Sequence, residues 1–582
     1  MCGFFCYLEK KDSLKSNLLE SSLLNVKYLK NRGPDGSNQV YLEYEKYNLF
    51  LYHARLAIQD ISDEFIQPYL NKKSNNLLIY NGEIYDFGNY KSKISEYSCD
   101  TAALSEVLNF SNFNLSELDG MYSFISWDPQ KHLLTIARDR FGIKPLFLYS
   151  SNKVLALSSS LKMLAKVFNL SNINYQYAKE SILIGHSFNN KTIFKEVNEF
   201  PTNQLSVFNP VDFSFQNKKI FNNSLYLQNN HNNKNYENQN LEKSISKSLE
   251  RQLGNTDRGS GMFLSGGVDS SLLVSIALGK KLISSSNSSI YSLKNLDPKI
   301  DESNRVKEFL NFVDNEKKIK FTESSIDSNS YIELIKDYID LDYPILDLGI
   351  LPIMKLCKDV DSKLRVILSG DGADELFGGY ERNYIALKRY NIIKKIPKKI
   401  ISLGKSFLPH KLKKYLEIRN IIELRCLLMG TPITEIKDSF DFFNEKVKED
   451  SLTKMLTFEQ NEYLKNVLAK VDAASMRYSL EVRVPYLSNL ITLYVANKNP
   501  KRYLKNNIKF ELKDLLKKYT SKNFSNLEKK GFNVGYDDEI KKINKLFNNH
   551  KKLFFDYEFD VLLKNNPMFL VRYNLLNHWL NG

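Results

Sequence analysis

The second residue of the chain, Cys2, has the surroundings of a nucleophile that carries its own base. It follows Met1 in the opening Met-Cys-Gly-Phe-Phe. Cysteine is small enough for excision of the initiator methionine to be expected, and excision would place a thiol and a free α-amine on one carbon atom. An α-amine titrates near about pH 8, so it can take a thiol proton where a lysine could not. The opening therefore predicts an N-terminal nucleophile; the competing interpretation is a small buried cysteine.

A second candidate site is a string of glycine and serine between a predicted strand at 261–264 and a helix predicted to begin near Ser271. The string is Leu264-Ser265-Gly266-Gly267-Val268-Asp269-Ser270. Glycines let a backbone approach a pyrophosphate, while hydroxyls and helix N-terminal amides donate hydrogen bonds to it. The string contains no Gly-Lys-Ser/Thr, so this is not a Walker loop. The string predicts a phosphate-binding loop, and the competing interpretation is a tight turn.

A second glycine loop follows the strand predicted at 365–368. It reads Ser369-Gly370-Asp371-Gly372-Ala373-Asp374-Glu375. Loops at the carboxyl ends of parallel strands face one crevice. Asp269 with Asp371 or Asp374 can therefore hold Mg²⁺ against phosphates, because hard cations take oxygen ligands. The alternative is a surface turn that caps a helix.

The elements that must position these residues form two groups. Up to about residue 210, alternating apolar residues predict a β-rich domain flanked by helices. Its predicted strands are 49–56, 77–80, 121–128 and 133–138, and its helices lie near 13–30 and 100–109. From Leu241 onward, helical patterns alternate with strands at 261–264, 290–293 and 365–368, which is typical of a parallel α/β sheet. An asparagine-rich stretch at 229–240 separates the two groups, and the tail from about 380 is helical and lysine-rich.

The composition sets outer bounds on the class of protein. A chain of 582 residues with 42% hydrophobic content predicts two or three domains. Five scattered cysteines without a CxxC pair predict a reducing compartment and no zinc site. The net charge of +15 is spread over lysine doublets, which favours a solvated basic surface over a nucleic-acid site. With no signal peptide and no uncharged apolar run of about 18 residues, we expect a cytoplasmic protein without a membrane partner.

These motifs, in this order, resemble the glutamine-hydrolysing asparagine synthetase family, whose members are class II glutamine amidotransferases, over nearly the whole chain. The matching strings of the first half are Cys2-Gly3, Arg32-Gly33-Pro34-Asp35-Gly36, His53-Ala54-Arg55-Leu56, Asn81-Gly82-Glu83-Ile84-Tyr85, Asp100 and 138–146. Besides the two glycine loops, those of the second half are Ser475-Met476, 479–485 and Lys529-Lys530-Gly531-Phe532.

The resemblance implies a two-domain fold that combines α+β and α/β architecture. An N-terminal-nucleophile hydrolase sandwich (αββα) would form the glutaminase domain in 1–215. A polar linker in 216–240 would lead to an ATP pyrophosphatase-type parallel α/β sheet with a helical C-terminal part in 241–582.

The resemblance also implies roles in glutamine hydrolysis. Cys2 would attack the carboxamide of glutamine, and Asn81 with the backbone amide of Gly82 would form the oxyanion hole. Arg55 would pair with the α-carboxylate through its planar fork, and Asp100 would take the α-ammonium. The glutamine-binding residues implied are Arg55, Asn81, Glu83 and Asp100.

At the second site, ATP would activate a carboxylate as an acyl-adenylate with loss of pyrophosphate, and ammonia travelling inside the protein would yield an amide and AMP. The ATP-binding residues implied are Leu264, Ser265, Gly266, Gly267, Asp269, Ser270, Ser369, Gly370 and Asp371. Mg²⁺ would lie on Asp269 and Asp374. Lys529 would neutralise developing charge as a catalytic residue, with Lys530 a near-equal candidate.

The chain departs from the family pattern where the acceptor carboxylate would bind. Asp347 and Pro352 are kept, but Leu348 and Gly349 replace two hydroxyl residues. Further departures there are Ala473 for an arginine and Ser488 for an aspartate; in the glutaminase half, Asn31 stands for a histidine and Ser160 for a glutamate. Aspartate is the default acceptor and a sugar uronic acid the alternative; a non-catalytic scaffold is a remote third reading. A homodimer is the assembly expected.

Overall fold

The structure is a computed structural model that describes most of the chain. The described residues are 2–11, 17–221, 240–254, 256–284, 288–295, 297–298, 300–314, 319–395, 415, 418–440, 450–505, 508–521, 524, 538–547, 553 and 555–582. The start of the helix predicted near 13–30, most of the linker predicted in 216–240, and both Lys529 and Lys530 lie outside them.

The first half folds as two stacked antiparallel sheets. Its strands are β1 (Gly3–Lys10), β2 (Gly36–Glu43), β3 (Tyr47–Arg55), β4 (Tyr69–Leu70), β5 (Leu77–Asp86), β6 (Asp119–Asp128), β7 (Leu133–Arg138), β8 (Phe147–Ser150), β9 (Val154–Ser158), β10 (Val197–Glu199), β11 (Gln204–Asn209) and β12 (Ser214–Lys219). One six-stranded sheet has the order β10-β8-β9-β1-β3-β2 and the other β12-β11-β7-β6-β5-β4.

Alternation along these strands explains the stacking. Phe4 and Leu51 of one sheet meet Ile79 and Ile125 of the other in a core between the sheets. The outer faces are covered by the helices α1 (Leu18–Asn25), α2 (Asp100–Val107), α3 (Leu161–Val167) and α4 (Tyr175–Ile184). Since α3 contacts β9 and α2 contacts β5, helices lie on both sides, and the predicted αββα sandwich is confirmed.

The second half is built on a parallel sheet of the order β15-β14-β13-β16-β17. Its strands are β13 (Ser260–Phe263), β14 (Ser288–Asn295), β15 (Lys320–Ile326), β16 (Val366–Leu368) and β17 (Glu481–Arg483). Helices along it are α5 (Leu241–Gly254), α6 (Val268–Gly279), α7 (Ser303–Val313), α8 (Ser328–Tyr338), α9 (Ile350–Lys358), α10 (Ala373–Phe377) and α11 (Glu381–Ile393). The predicted α/β class is confirmed.

The C-terminal part is helical, as predicted, apart from β17. Its described helices are α12 (Ile421–Leu428), α13 (Ser451–Phe458), α14 (Leu464–Met476), α15 (Asn489–Ala496), α16 (Arg502–Lys505), α17 (Phe510–Tyr519), α18 (Asp538–Lys545), α19 (Tyr557–Asn565) and α20 (Pro567–Asn581). Among the described residues, no helix combines the length and apolarity that crossing a bilayer requires.

Buried ion pairs join the two halves. The Arg32 guanidinium lies 2.8 Å from Asp342 Oδ2 and 2.9 Å from Asp472 Oδ2. Arg32 is fully buried, and its Nε also donates to the carbonyl oxygen of Cys2 at 3.2 Å. The residue that holds the start of β1 is therefore anchored to the second half.

Candidate active sites

Cys2 lies immediately before β1, and a hydrogen bond holds its backbone nitrogen in place. It is 8% exposed, and its N–H donates to Asn81 Oδ1 at 3.0 Å. Burial raises the pKa of the Cys2 thiol, while the Leu56 backbone amide and the Arg55 charge act in the opposite direction. A thiol with a raised pKa needs a base close by, and the α-amine of a processed N-terminus would be that base.

Asn81 offers a hydrogen-bond donor that has no partner among the described residues. Its side chain is fully buried on β5, and Nδ2 is unpaired although Oδ1 is engaged by Cys2. An unsatisfied buried donor costs on the order of 1–3 kcal/mol. Such an amide beside a thiol is what an oxyanion hole needs before a substrate arrives.

Gly82, the next residue, has a backbone that only glycine adopts without strain. Its φ is +152°, and a Cβ there would lie 2.1 Å from the carbonyl oxygen of Met121 on the paired strand β6. The tight fit fixes the backbone beside Asn81. This fit explains why the polar triplet Asn81-Gly82-Glu83 belongs to β5 (Leu77–Asp86), although the strand was predicted to end at residue 80.

The residues expected to hold the amino-acid end of glutamine lie around the loop that follows β3. Arg55 is 7% exposed and donates to the carbonyl oxygens of Gln59, Asp60 and Ser62. Asp100, the first residue of α2, accepts from the Tyr80 hydroxyl at 2.9 Å and the Ile84 amide at 3.1 Å. Burial raises the pKa of Asp100, and these hydrogen bonds oppose the shift.

Glu83 contacts both this loop and the second half of the chain. Its carboxylate accepts from the Gln59 amide and lies 3.3 Å from Arg483 Nη2 at the end of β17. Burial and the charge of Asp100 raise the pKa of Glu83, while Arg483 opposes the shift. The contact between Glu83 and Arg483 was not predicted, because no local sequence pattern links two residues so far apart in the chain.

The first glycine loop folds on itself between β13 and α6. The Ser265 amide donates to Ser270 Oγ at 3.2 Å, and the Gly267 amide donates to Ser265 Oγ at 3.3 Å. Gly266 has a φ of +75°, in the left-handed region that favours glycine. Gly267 begins α6 without a side-chain cap, so amides at the helix terminus stay available to an anion.

The second glycine loop packs directly against the first. A Cβ on Gly370 would lie 3.1 Å from both Asp269 Cβ and the Ser270 nitrogen. Ser369 Oγ donates to Asp371 Oδ2 at 2.7 Å, and the Ser369 amide donates to the Arg483 carbonyl at 2.9 Å. Because Gly370 has no side chain, the two loops can pack against each other at the carboxyl ends of β13 and β16.

The two carboxylates expected to bind Mg²⁺ converge on a lysine. Lys509 Nζ lies 2.5 Å from Asp269 Oδ2 and 2.5 Å from Asp374 Oδ1. A place where two carboxylates already hold a cation fits a magnesium ion, which takes one or two protein carboxylates together with phosphate oxygens. Among the described residues, no group of three or more His, Cys, Asp or Glu is arranged to hold a metal without a substrate. Lys509 was missed because it lies in a lysine-rich helical pattern typical of a solvated surface.

The region of the altered acceptor residues contains a strong ion pair. Lys470 Nζ lies 2.7 Å from Asp347 Oδ2. Against the effect of burial, Lys470 lowers the pKa of Asp347 to about 2. Ala473 is buried in α14, and the buried hydroxyl of Ser488 has no partner among the described residues. Lys470 therefore neutralises the charge of Asp347. The Ser488 hydroxyl is a buried hydrogen-bonding group that no described residue uses.

The two stacked sheets, with Cys2 immediately before β1, define a glutamine amidotransferase half. The parallel sheet, with its two glycine loops, defines an ATP-using synthetase half. A glutamine amidotransferase domain model matches residues 1–218, and an asparagine synthase model matches residues 240–563. The chain belongs to the asparagine synthase family. It is a ligase of the glutamine-hydrolysing, amide-forming type.

Relatives cover most of the chain. It is 27% identical over 469 residues to a putative glutamine-hydrolysing asparagine synthetase 2 of Methanocaldococcus jannaschii, covering 76% of this chain and 87% of the relative. It is 25% identical over 535 residues to asparagine synthetase 1 of Bacillus subtilis, covering 86% and 81%. The solved structure of a B. subtilis glutamine phosphoribosylpyrophosphate amidotransferase is similar over 45% of this chain and 60% of that chain, with 16% identity and a TM-score of 0.28.

Proposed function

We propose that the chain hydrolyses glutamine at Cys2 and transfers the nitrogen to a carboxylate that ATP activates as an acyl-adenylate, releasing pyrophosphate and then AMP. Aspartate is the acceptor that family membership favours, with asparagine as the product. The observation that carries the proposal is Asn81 Nδ2, a buried donor next to Cys2 that has no partner among the described residues, because such a donor suits an oxyanion that forms on attack by the thiol.

The glutaminase step follows from the contacts around Cys2. After removal of Met1, the backbone nitrogen that donates to Asn81 Oδ1 becomes an amine whose lone pair can take the thiol proton. The thiolate attacks the carboxamide carbon, and Asn81 Nδ2 with the Gly82 amide stabilises the oxyanion. The protonated amine then gives its proton to the leaving amide nitrogen, which departs as ammonia, and water hydrolyses the resulting thioester to glutamate and restores the Cys2 thiol. Arg55 and Asp100 are assigned to the α-carboxylate and α-ammonium of glutamine.

The synthetase step is assigned to the two glycine loops. The loop of Ser265, Gly267 and Ser270, which is closed by its own hydrogen bonds, lies just before α6, where a helix terminus favours an anion. Asp269 and Asp374 would hold Mg²⁺, which neutralises phosphate charge when bound. Lys529, or its neighbour Lys530, would supply a further positive charge, as the family resemblance implies.

The acceptor pocket leaves a second candidate substrate. Leu348 and Gly349 lack the hydroxyls, and Ala473 the cation, that a small amino acid would use in this family. A site that loses such groups rejects a substrate that needs them, because buried polar groups would go unpaired. A sugar uronic acid, which brings a carboxylate on a larger polar molecule, is therefore the second candidate acceptor.

The five free cysteines are consistent with the reducing, cytoplasmic setting that we also propose.

An acceptor screen tests the proposal. The purified enzyme is incubated with glutamine, ATP and Mg²⁺, and each candidate acceptor is added alone while AMP and ADP are separated by chromatography. We expect AMP to form only with the true acceptor, aspartate first. Production of ADP, or AMP formation that no carboxylate stimulates, would reject adenylation.

A further inference from the structure

Lys509 places its ammonium group at the position that the proposed function assigns to magnesium. Its Nζ lies 2.5 Å from one oxygen of Asp269 and 2.5 Å from one of Asp374. The lysine is 5% exposed, so salt and water screen these ion pairs only weakly. The two carboxylates therefore already have a cation, supplied by the chain itself.

The backbone is shaped to bring this lysine in. Lys509 has a φ of +53° and a ψ of 33° immediately before α17, a left-handed conformation that is uncommon for a residue with a side chain. Such a conformation persists only where surrounding contacts hold it. The two ion pairs are the contacts that do so here.

Gly379 lies directly against both Asp374 and Lys509 and leaves room for their ion pair. A Cβ at Gly379 would lie 2.0 Å from Asp374 Oδ1 and 2.2 Å from Lys509 Cε. Any other residue would push the lysine or the carboxylate away. Three separate stretches of chain, at Asp269, at 374–379 and at Lys509, thus combine to hold one ammonium group.

A lysine and a magnesium ion make different demands on this pair of carboxylates. An ammonium group is satisfied by a few hydrogen-bond acceptors, whereas Mg²⁺ requires near-octahedral oxygen ligands and loses its waters reluctantly. Two carboxylates that share a lysine carry a combined charge of one negative unit, a weak attraction for a divalent ion. Phosphates would add both oxygen ligands and negative charge, and they would give the lysine a new partner.

We propose that Lys509 is a resident counter-ion that keeps divalent cations out of the Asp269–Asp374 site until the nucleotide arrives, and that it then turns toward the phosphates. This inference rests on the proposed assignment of Asp269 and Asp374 to the metal. It makes metal loading depend on the nucleotide, so the enzyme takes up the cation and ATP together.

Manganese binding without nucleotide tests this directly. Free Mn²⁺ is measured by electron paramagnetic resonance in the full-length wild type and in Lys509→Met. We expect the substitution to tighten Mn²⁺ binding by on the order of tenfold or more, because removing the ammonium leaves two close carboxylates without a counter-charge. The gain should vanish in the double variant Lys509→Met, Asp374→Asn.

Lys513, one helical turn further on α17, provides the matched control. It is close enough for Asp269 to influence its pKa, although burial and the positive charges of Lys509 and Lys517 lower it. Lys513→Met removes the same charge from the same helix and should change Mn²⁺ binding by less than about twofold, because charge near the protein surface is screened. Equal gains in both variants would overturn the inference, since they would reflect net charge alone.

Two further arms keep the outcomes distinct. Lys509→Gln is the second variant if Lys509→Met folds poorly, and unchanged Mn²⁺ binding in a folded variant of either kind refutes the counter-ion role. Wild-type enzyme with a non-hydrolysable ATP analogue should bind Mn²⁺ beyond what the analogue binds alone, and Asp374→Asn should abolish this additional binding. If that binding is absent, the proposed metal site fails; if it is present while Lys509 variants gain nothing, only this inference fails.

Discussion

Replacement of Asn81 by alanine separates the two chemistries of the chain most cleanly. The side chain makes one hydrogen bond in the structure, from the Cys2 nitrogen to Oδ1 at 3.0 Å. Its Nδ2 has no partner among the described residues. The substitution therefore removes one existing contact and one donor that is held ready for the oxyanion.

The expected loss follows from these two contributions. Removal of one oxyanion donor costs about 2.7–4 kcal/mol in the transition state, or roughly 10²–10³ in kcat. The lost hydrogen bond to Cys2 adds about 0.5–1.5 kcal/mol, which acts on the position of the amine. Because Nδ2 makes no bond to any residue that the structure describes, the free energy of unfolding should change little beyond that single contact.

The assay compares glutamine with ammonium as the nitrogen source. Glutamine-dependent amide formation should fall by about 10²–10³, while ammonium-dependent formation stays within about twofold of wild type. A loss below tenfold with glutamine, or an equal loss with ammonium, would refute the assignment of Asn81 to the oxyanion.

Asn71 provides the matched control for Asn81→Ala. It is also a buried asparagine of the first half, but its amide nitrogen donates to Ser105 Oγ and its Oδ1 accepts from the Lys73 and Ser74 amides. Asn71→Ala should therefore lower the free energy of unfolding more than Asn81→Ala and leave glutamine use intact. The reverse ranking would mean that Asn81 serves packing.

Three further perturbations address the nucleophile, the contact between the halves and the pH response. Cys2→Ala should abolish glutamine hydrolysis and retain synthesis from ammonium, as measured by glutamate release; residual glutaminase activity would exclude this nucleophile. Arg32→Met breaks a buried ion-pair network and should lower the free energy of unfolding by about 3–5 kcal/mol in urea titrations; a loss under about 1 kcal/mol would contradict it. Burial lowers the pKa of both His53 and His186 to about 3, so below about pH 6.5 the unfolded chain takes up two protons that the folded protein does not. These two residues should therefore reduce stability by about 2.7 kcal/mol per pH unit as the pH falls between about 6 and 4, and His186→Gln should remove half of that slope; an unchanged slope would contradict it.

Much of the fold could be predicted because it follows from local pattern. The strand predicted at 133–138 coincides with β7, and that predicted at 121–128 differs from β6 only at its start. The strand predicted at 77–80 stops too early, because Asn81, Gly82 and Glu83 read as a polar break. The side chains of Asn81 and Glu83 are buried and paired with distant residues, which alternation along a single strand cannot reveal.

The sites could be predicted as motifs but not as networks. The glycine loops and Cys2 stand out by composition, whereas Lys509 and Arg483 become significant only through their distant partners Asp269 and Glu83. A lysine among many lysines carries no local signal. Long-range charge pairing is set by how distant stretches of the chain pack, within one half for Lys509 and Asp269 and between the halves for Arg483 and Glu83. The spacing of residues along one sequence does not show this packing.

Transfer of isotope-labelled nitrogen tests the central claim most directly. The enzyme is supplied with glutamine labelled with ¹⁵N at the side-chain amide, ATP, Mg²⁺ and aspartate, and the products are quantified by mass spectrometry. We predict that ¹⁵N appears in asparagine, with glutamate, AMP and asparagine formed in about equal amounts because one adenylation consumes one ammonia. Labelled ammonia that accumulates in solution while AMP fails to form with any carboxylate acceptor would contradict the coupling of the two sites.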